Sequence, residues 1–307
     1  MATVSAPIIL DSTGQSILSK LGEIKDAINS EGFYGHNIPR AEPKDITQYV
    51  TDGSIYQRLA GTNGYDLYED LYVGDYIEMS RAISAKNKDT TQQATGSKYV
   101  TIAGISCMKR NGDADLNYEH LVMVPGKGFG GDQHFGKSRM NASNTTVGGY
   151  VGSELFTDIL GAVASSGSTA DGATINQQLY AEFGAHLKTT KEWISNAINA
   201  SGYNRFGTNS GCTSANAWTA VQSCLMSEAE VYGATIFGSS GFDSAMNPYQ
   251  LPLFNFSKLA ANNRSAWYWL RDIANNSQCC LCNSYGRAHY NDASGSYVFV
   301  RPRFVIA

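Results

Sequence analysis

Charged residues are scarce in this chain of 307 residues, and their balance is slightly acidic. Only 16% of the residues are charged, the formal net charge is −4, and no stretch of the sequence is strongly basic. Proteins that bind a phosphate backbone carry clustered Lys and Arg, because neutralised phosphates supply much of the affinity. We therefore expect no nucleic-acid partner.

Long apolar runs are also missing. No uninterrupted apolar stretch is long enough to span a bilayer, and Met1 to Pro7 lack the basic start and apolar run of a secretion signal. The sequence predicts a protein made in a cytoplasm, without membrane insertion. At 42% hydrophobic content the chain has enough apolar residues for one large domain with an appendage.

The six cysteines are few and unevenly spaced, unlike those of a small disulfide-stapled scaffold. Cys279, Cys280 and Cys282 form a cluster that, with His289, offers one alternative, a zinc site. That spacing matches no common zinc pattern, and adjacent cysteines rarely chelate one ion well. We expect no metal and no cofactor. The common catalytic motifs G-x-S-x-G, H-E-x-x-H and the P-loop are also missing.

Apolar residues near the N-terminus recur with the 4-3-4 spacing of a coiled-coil seam. Ser12 and Gln15 form a capping box that starts the helix at about Thr13. The seam consists of Leu10, Gly14, Ile17, Leu21, Ile24 and Ile28. It predicts an N-terminal helix over residues 1–30 that serves as an oligomerisation stalk, with self-association as a trimer. A helix packed on its own domain fits the same spacing.

Residues 31–62 alternate Gly, Pro and polar residues with short apolar pieces, which indicates a connector. Two capping boxes, beginning at Thr189 and Ser227, predict further helices. Apolar periodicity predicts the remaining elements: helices at 153–164 and 175–183, and strands at 71–79, 99–107, 120–125, 265–272 and 297–306.

The segment 276–299 has the composition of a recognition loop. Of its 24 residues, 13 are Ser, Tyr, Cys or Asn. Tyr supplies rigid contact area at low entropy cost, and Ser and Asn supply adaptable hydrogen bonds. A polar loop that happens to be Tyr-rich has the same composition.

Several separated motifs, in this order, resemble the variable proteins of diversity-generating retroelements in phages and prophages. The resemblance covers about residue 70 to the end of the chain. Its upstream motifs are N-A-S-N-T-T-V-G-G-Y-V-G-S at 141–153, F-G-A-H-L at 183–187 and V-Y-G at 231–233. Its C-terminal motifs are Y-W-L-R-D at 268–272, S-Y-G at 284–286, A-S at 293–294 and V-R-P-R-F at 300–304.

This resemblance implies an α+β fold: a C-type-lectin-like domain over residues 63–307, with two main helices packed on a twisted antiparallel sheet. It also implies a receptor-binding protein of a phage or prophage, carried on the virion after synthesis in a bacterial cytoplasm. The ligand would be a host cell-surface protein or glycan. Relatives of this kind generally bind through side chains without calcium.

In that family an error-prone reverse transcriptase rewrites Asn-type codons in the last segment, here about residues 275–299. Such codons never mutate to Lys, Glu, Met, Trp or Gln, and within 276–299 only Gln278 departs from that rule. We interpret Gln278 as unvaried. The positions expected to vary and to bind ligand are Ser277, Cys279, Cys280, Cys282, Arg287, His289, Tyr290, Asn291 and Asp292, together with Ser296 and Tyr297. We expect Leu270, Val300 and Phe304 to support this surface from below.

Two other functions stay open at this point. A structural virion or surface decoration protein would carry the same tail incidentally. The formylglycine-generating enzymes share the implied fold and use cysteines, so the 279–282 cluster also fits an enzyme of that type. We expect a binding protein and no catalytic residues.

Overall fold

The computed structural model describes residues 19–20, 36–85, 95–109, 116–130, 133–195, 216–238, 250–256, 264 and 266–307. The predicted N-terminal helix lies outside these ranges except for residues 19 and 20, and Cys212 also lies outside them. Within the described ranges the chain mixes short helices with strands that pair mostly antiparallel. This confirms the coarse α+β prediction.

The helices are short. The described α-helices are α1 (Thr47–Thr51), α2 (Ser54–Ala60), α3 (Ile175–Phe183), α4 (Glu228–Tyr232) and α5 (Pro252–Asn255). The described strands are β1 (Tyr76–Glu78), β2 (Tyr99–Ile105), β3 (Leu121–Pro125), β4 (Leu187–Lys188), β5 (Thr190–Ser195), β6 (Asn216–Val221), β7 (Ser223–Leu225), β8 (Tyr268–Ile273), β9 (Gln278–Cys282), β10 (Ala288–Asp292) and β11 (Pro302–Ile306).

The largest sheet is organised around its last strand in sequence. Its order is β1-β2-β3-β11-β4, and β7 also pairs with β11. All of these pairs are antiparallel. Every residue of β3 and β11 is buried. Because successive side chains point to opposite faces, both faces of the sheet are covered at these strands.

Helix α3 covers part of this sheet, at the position that the periodicity predicts. Thr174 and Gln177 form a reciprocal capping box that fixes its start. Its Leu179 is buried, and the Phe183 ring lies 5.6 Å from the Phe304 ring of β11. The helix predicted at 153–164 is shorter, a π-helix over Leu155–Leu160.

The segment predicted as a connector belongs to the domain from residue 36 onward. It contains α1 and α2, and its Ile46, Ile55 and Leu59 are buried in the same core as the main sheet. The Gly and Pro residues mark real turns, but the short apolar pieces between them pack inward. Turn signals alone do not separate a linker from a loop-rich part of a domain.

Of the capping boxes predicted at Thr189 and Ser227, the first is wrong and the second is confirmed. Thr189 does not start a helix, because the chain continues into β5, which pairs with β6. The Glu192 carboxylate binds the Arg303 guanidinium at 2.9 Å. At Ser227 the capping box forms as predicted, with the Glu230 N–H donating to the Ser227 hydroxyl at 3.1 Å.

A smaller sheet carries the C-terminal segment that the sequence singles out. Its order is β10-β9-β8, and both pairs are antiparallel. Strand β8 is buried along its whole length, and β10 lies at the edge with its residues exposed or half-buried. Leu270, Val300 and Phe304 are buried, as predicted for supporting residues.

Candidate functional site

Strands β9 and β10 form a hairpin whose turn is built by Asn283 and Gly286. The Gly286 N–H donates to the Asn283 carbonyl, and the Asn283 N–H donates to the Arg287 carbonyl, each at 2.9 Å. The Asn283 side-chain oxygen accepts hydrogen bonds from the N–H groups of Tyr285 (2.9 Å) and Arg287 (3.1 Å). Gly286 has φ +74°, a left-handed conformation that favours glycine. The sequence of the turn thus fixes its shape and presents Tyr285, 83% exposed, at the tip.

Some of the residues predicted to vary are exposed on or beside β10. The edge position of this strand leaves its side chains uncovered, and Tyr290 and Tyr297 are 38% and 47% exposed. We call the exposed set the display face: Arg287, His289, Tyr290, Asp292 and Tyr297. Because successive residues of β10 point to opposite sides of the sheet, this set lies around the edge of the sheet and not on one side of it.

Ser277, Asn291 and Ser296 from the predicted set are only half-buried. The Ser277 N–H and hydroxyl both donate to the Asn275 side-chain oxygen, at 3.0 and 3.1 Å. Ser277 therefore has a local structural role, and we expect these three residues to contribute less contact area than the display face.

The three cysteines of β9 do not face solvent, so this part of the prediction is wrong. Cys279, Cys280 and Cys282 are buried. Strand β9 is central, with Cys280 opposite Tyr290 on one neighbouring strand and Cys282 opposite Tyr268 on the other. Both of its faces are covered. Composition indicated a recognition segment, but it could not separate a central strand from an edge strand.

Burial also decides the chemistry of these thiols. It raises the pKa of Cys279 to about 12 and the pKa of Cys280 well above its usual range. Nucleophilic attack and metal binding both use the thiolate, which such pKa values disfavour. In the described ranges, no group of three or more His, Cys, Asp or Glu side chains is placed to hold a metal ion.

Aromatic rings form a continuous row through the display face. The Tyr290 ring meets Phe237 edge-on with centroids 5.1 Å apart, and the His289 ring lies 5.5 Å from Tyr290. Trp267 continues the row at 5.7 Å from His289 and 6.0 Å from Tyr297. Aromatic residues and Arg dominate the energetics of recognition surfaces. The row therefore has the chemistry of a binding surface.

Two residues of this row were missed by sequence reasoning. Strand alternation places Trp267 on the same side as Trp269, so the sequence pattern does not distinguish the two. Trp269 is fully buried, but Trp267 is half-buried and reaches the edge of the face. Phe237 lies well outside the C-terminal segment, and no local pattern indicates its contact with Tyr290.

The upstream Asn-rich motif supports the display face. The Asn144 side-chain oxygen accepts from the Ser294 N–H at 3.2 Å, and its amide donates to the Asp292 carboxylate at 3.1 Å. The Thr146 hydroxyl donates to the Asn275 carbonyl at 2.6 Å. Two segments that the resemblance groups together are thus in direct contact. We infer that the motif is a rigid support for the face.

The display face carries one acidic residue, Asp292, and one basic residue, Arg287. The second oxygen of Asp292 accepts from the Gln278 amide at 3.0 Å, so both of its carboxylate oxygens are engaged. Arg287 is exposed beside the turn. The face thus combines a positioned anion, an exposed cation and a row of rings.

No helix in the described ranges is long and apolar enough to cross a membrane. No protein-family model, no curated protein and no solved structure matches the chain. These comparisons assign no family to it.

Proposed function

We propose that this chain is a receptor-binding protein of a phage or prophage, and that the display face attaches it to a host surface. The observation that carries the proposal is the aromatic row of β10 and its neighbours. The row joins His289 and Tyr290 on the exposed edge strand β10 to Tyr297 through Trp267. The ligand is a host cell-surface protein or glycan.

Preorganisation supports this proposal. A binding surface gains affinity when its residues are held in place before the ligand arrives. Here Asn283 and Gly286 fix the hairpin turn, and Asn144 fixes the strand end through Asp292 and Ser294. Exposed side chains on this frame can change without disturbing the core.

We further propose that the exposed part of the C-terminal segment is diversified by a retroelement on a C-type-lectin-like frame. The motifs that resemble this family support the proposal, and so does the residue content of 276–299. The three buried cysteines belong to the same segment but do not contact a ligand directly. The family also predicts a near-copy of the last hundred or so bases beside a reverse transcriptase gene, differing at adenines.

Self-association is part of the proposal. A trimer formed through the N-terminal seam would carry three display faces that can bind one host surface at the same time. Its overall affinity for that surface would exceed the affinity of a single face by a factor on the order of 10² or more where geometry permits.

The experiment is an exchange of the display face. Fluorescently labelled protein is applied to a panel of intact bacterial strains, and the wild-type pattern of attachment is recorded. Arg287, His289, Tyr290 and Tyr297 are then changed together to other residues that Asn-type codons can reach. We expect attachment to be lost or redirected to other strains, with an unchanged melting temperature. The same pattern of strains after the exchange, or no attachment by the wild type to any strain, would overturn the proposal.

A further inference from the structure

Glu228, the first residue of α4, is a completely buried acidic residue. Its side-chain oxygens accept hydrogen bonds from three consecutive backbone N–H groups, those of Ile236 (2.7 Å), Phe237 (2.9 Å) and Gly238 (2.8 Å). Hydrogen bonds to a carboxylate are about twice as strong as neutral ones. The backbone of residues 236–238, which we call the Phe237 loop, is therefore organised around this one carboxylate.

The Phe237 loop reaches the display face. The Phe237 ring packs edge-on against Tyr290, and the neighbouring Ile236 is 42% exposed. Neither residue belongs to the C-terminal segment. The face therefore continues onto a part of the chain that lies 50 residues and more before β10, and this added part is apolar.

Strand β8 packs against the same loop. The Asp272 carboxylate accepts from the Glu228 N–H at 2.6 Å, which ties the start of α4 to β8. A Cβ at Gly238 would lie 2.8 Å from the Asp272 Cβ, closer than real side chains approach. Only glycine allows the loop to lie this close to β8 without a shift.

We infer that Glu228 is a positioning residue that holds Phe237 and Ile236 in the binding surface. The inference rests on the proposed function for its biological meaning. It specifies the ligand in part, since the group that meets Ile236 and Phe237 must be apolar.

Hydrogen–deuterium exchange of the full chain tests the positioning. In Glu228→Gln the amide keeps an acceptor oxygen but loses the charge, and we expect the 236–238 amides to exchange about tenfold faster or more. The nuclear Overhauser contact between the Phe237 and Tyr290 rings should weaken. The matched control is Asp75→Asn, because Asp75 is also buried and accepts from the backbone N–H groups of Lys44 and Tyr72. This control should leave exchange at 236–238 unchanged.

Attachment to the bacterial panel completes the test. Glu228→Gln and Phe237→Ala should each weaken attachment several-fold at a temperature where both remain folded. Unchanged exchange in Glu228→Gln would overturn the positioning role. If the Phe237→Ala variant attached as well as the wild type, the Phe237 loop would not be part of the binding surface. If the wild type attaches to no strain, the proposed function fails, while the exchange data still decide the positioning role.

Discussion

The Trp269 indole N–H donates a 2.8 Å hydrogen bond to the Ser138 carbonyl, across 131 residues of sequence. Trp269 is fully buried on β8, the strand that pairs with β9 of the β9–β10 hairpin. Replacing it with Ala removes a large core side chain and leaves the Ser138 carbonyl without this partner. We expect Trp269→Ala to lower the free energy of unfolding by about 3–5 kcal/mol, as measured by urea denaturation.

Tyr285→Ala is the control for this prediction, because Tyr285 lies exposed at the hairpin tip. Its free energy of unfolding should stay within about 0.5 kcal/mol of wild type. Equal destabilisation by the two substitutions would mean that the hairpin tip is part of the core.

His120 predicts a pH dependence of stability. Burial lowers its pKa to about 4, and its ring accepts from the Met108 N–H at Nε2 and contacts the Tyr118 carbonyl at Nδ1. The folded state therefore holds a neutral ring, while the unfolded chain takes up a proton below about pH 6.5. Stability should be intact above pH 6.5 and fall by up to about 1.4 kcal/mol per pH unit as the pH drops toward 4.

The measurement is urea unfolding at a series of pH values between 7 and 4. His120→Gln, which does not titrate, should be less stable at pH 7 but should lose less stability across this range. An identical pH slope in both proteins would contradict the assignment.

Arg303 lies between two buried carboxylates. Its guanidinium is 2.9 Å from Glu192 and 2.5 Å from Glu230, and all three side chains are almost fully buried. Arg303→Leu leaves both acids without this cation, and removal of one partner from a buried pair costs about 3–5 kcal/mol. We expect that loss at pH 7 in urea unfolding.

The same variant predicts a second pH effect. Burial alone would raise the pKa of Glu230, but the charges of Arg303 and Arg271 outweigh it and hold the pKa below its usual value. The contribution of Glu230 to wild-type stability is thus present above about pH 4.3 and lost as the pH falls further. The difference between Arg303→Leu and wild type should therefore shrink in acid. A constant difference between pH 7 and pH 3 would contradict the account.

The N-terminal seam predicts assembly. Changing Ile17 and Ile24 together to Asn places polar groups in the apolar seam, and we expect a trimer to become a monomer. Sedimentation velocity at micromolar concentration measures this change. A wild-type monomer under those conditions would rule out the stalk.

Sequence patterns correctly predicted those elements whose stability depends on residues nearby in the sequence. The periodicity of α3 and the capping box at Ser227 both depend on neighbours within a few residues, and both formed as predicted. The similar pattern at Thr189 failed because Glu192 binds Arg303, a partner far along the chain. A sequence-local motif carries no information about such a partner.

Only part of the candidate site could likewise be predicted from the sequence. Composition identified the C-terminal segment, and the exposed residues of β10 lie within it. Strand order decided the rest: a central position buries Cys280, and an edge position exposes Tyr290 directly opposite. The contact between Phe237 and Tyr290 depends on tertiary packing, so no spacing in the sequence could predict it.

The most direct test compares two sets of substitutions in one attachment assay. Arg287, His289, Tyr290 and Tyr297 are changed together to Ser, and Asp292 is kept because it ties β10 to Asn144. This should reduce attachment to the bacterial panel more than tenfold, since hot-spot residues each contribute about 2 kcal/mol or more. The control changes Ile38, Tyr118 and Val163, which are similarly exposed elsewhere, to Ser. Both proteins should melt within a few degrees of wild type, and only the first should lose attachment. Undiminished attachment after loss of these four display-face side chains would contradict the account.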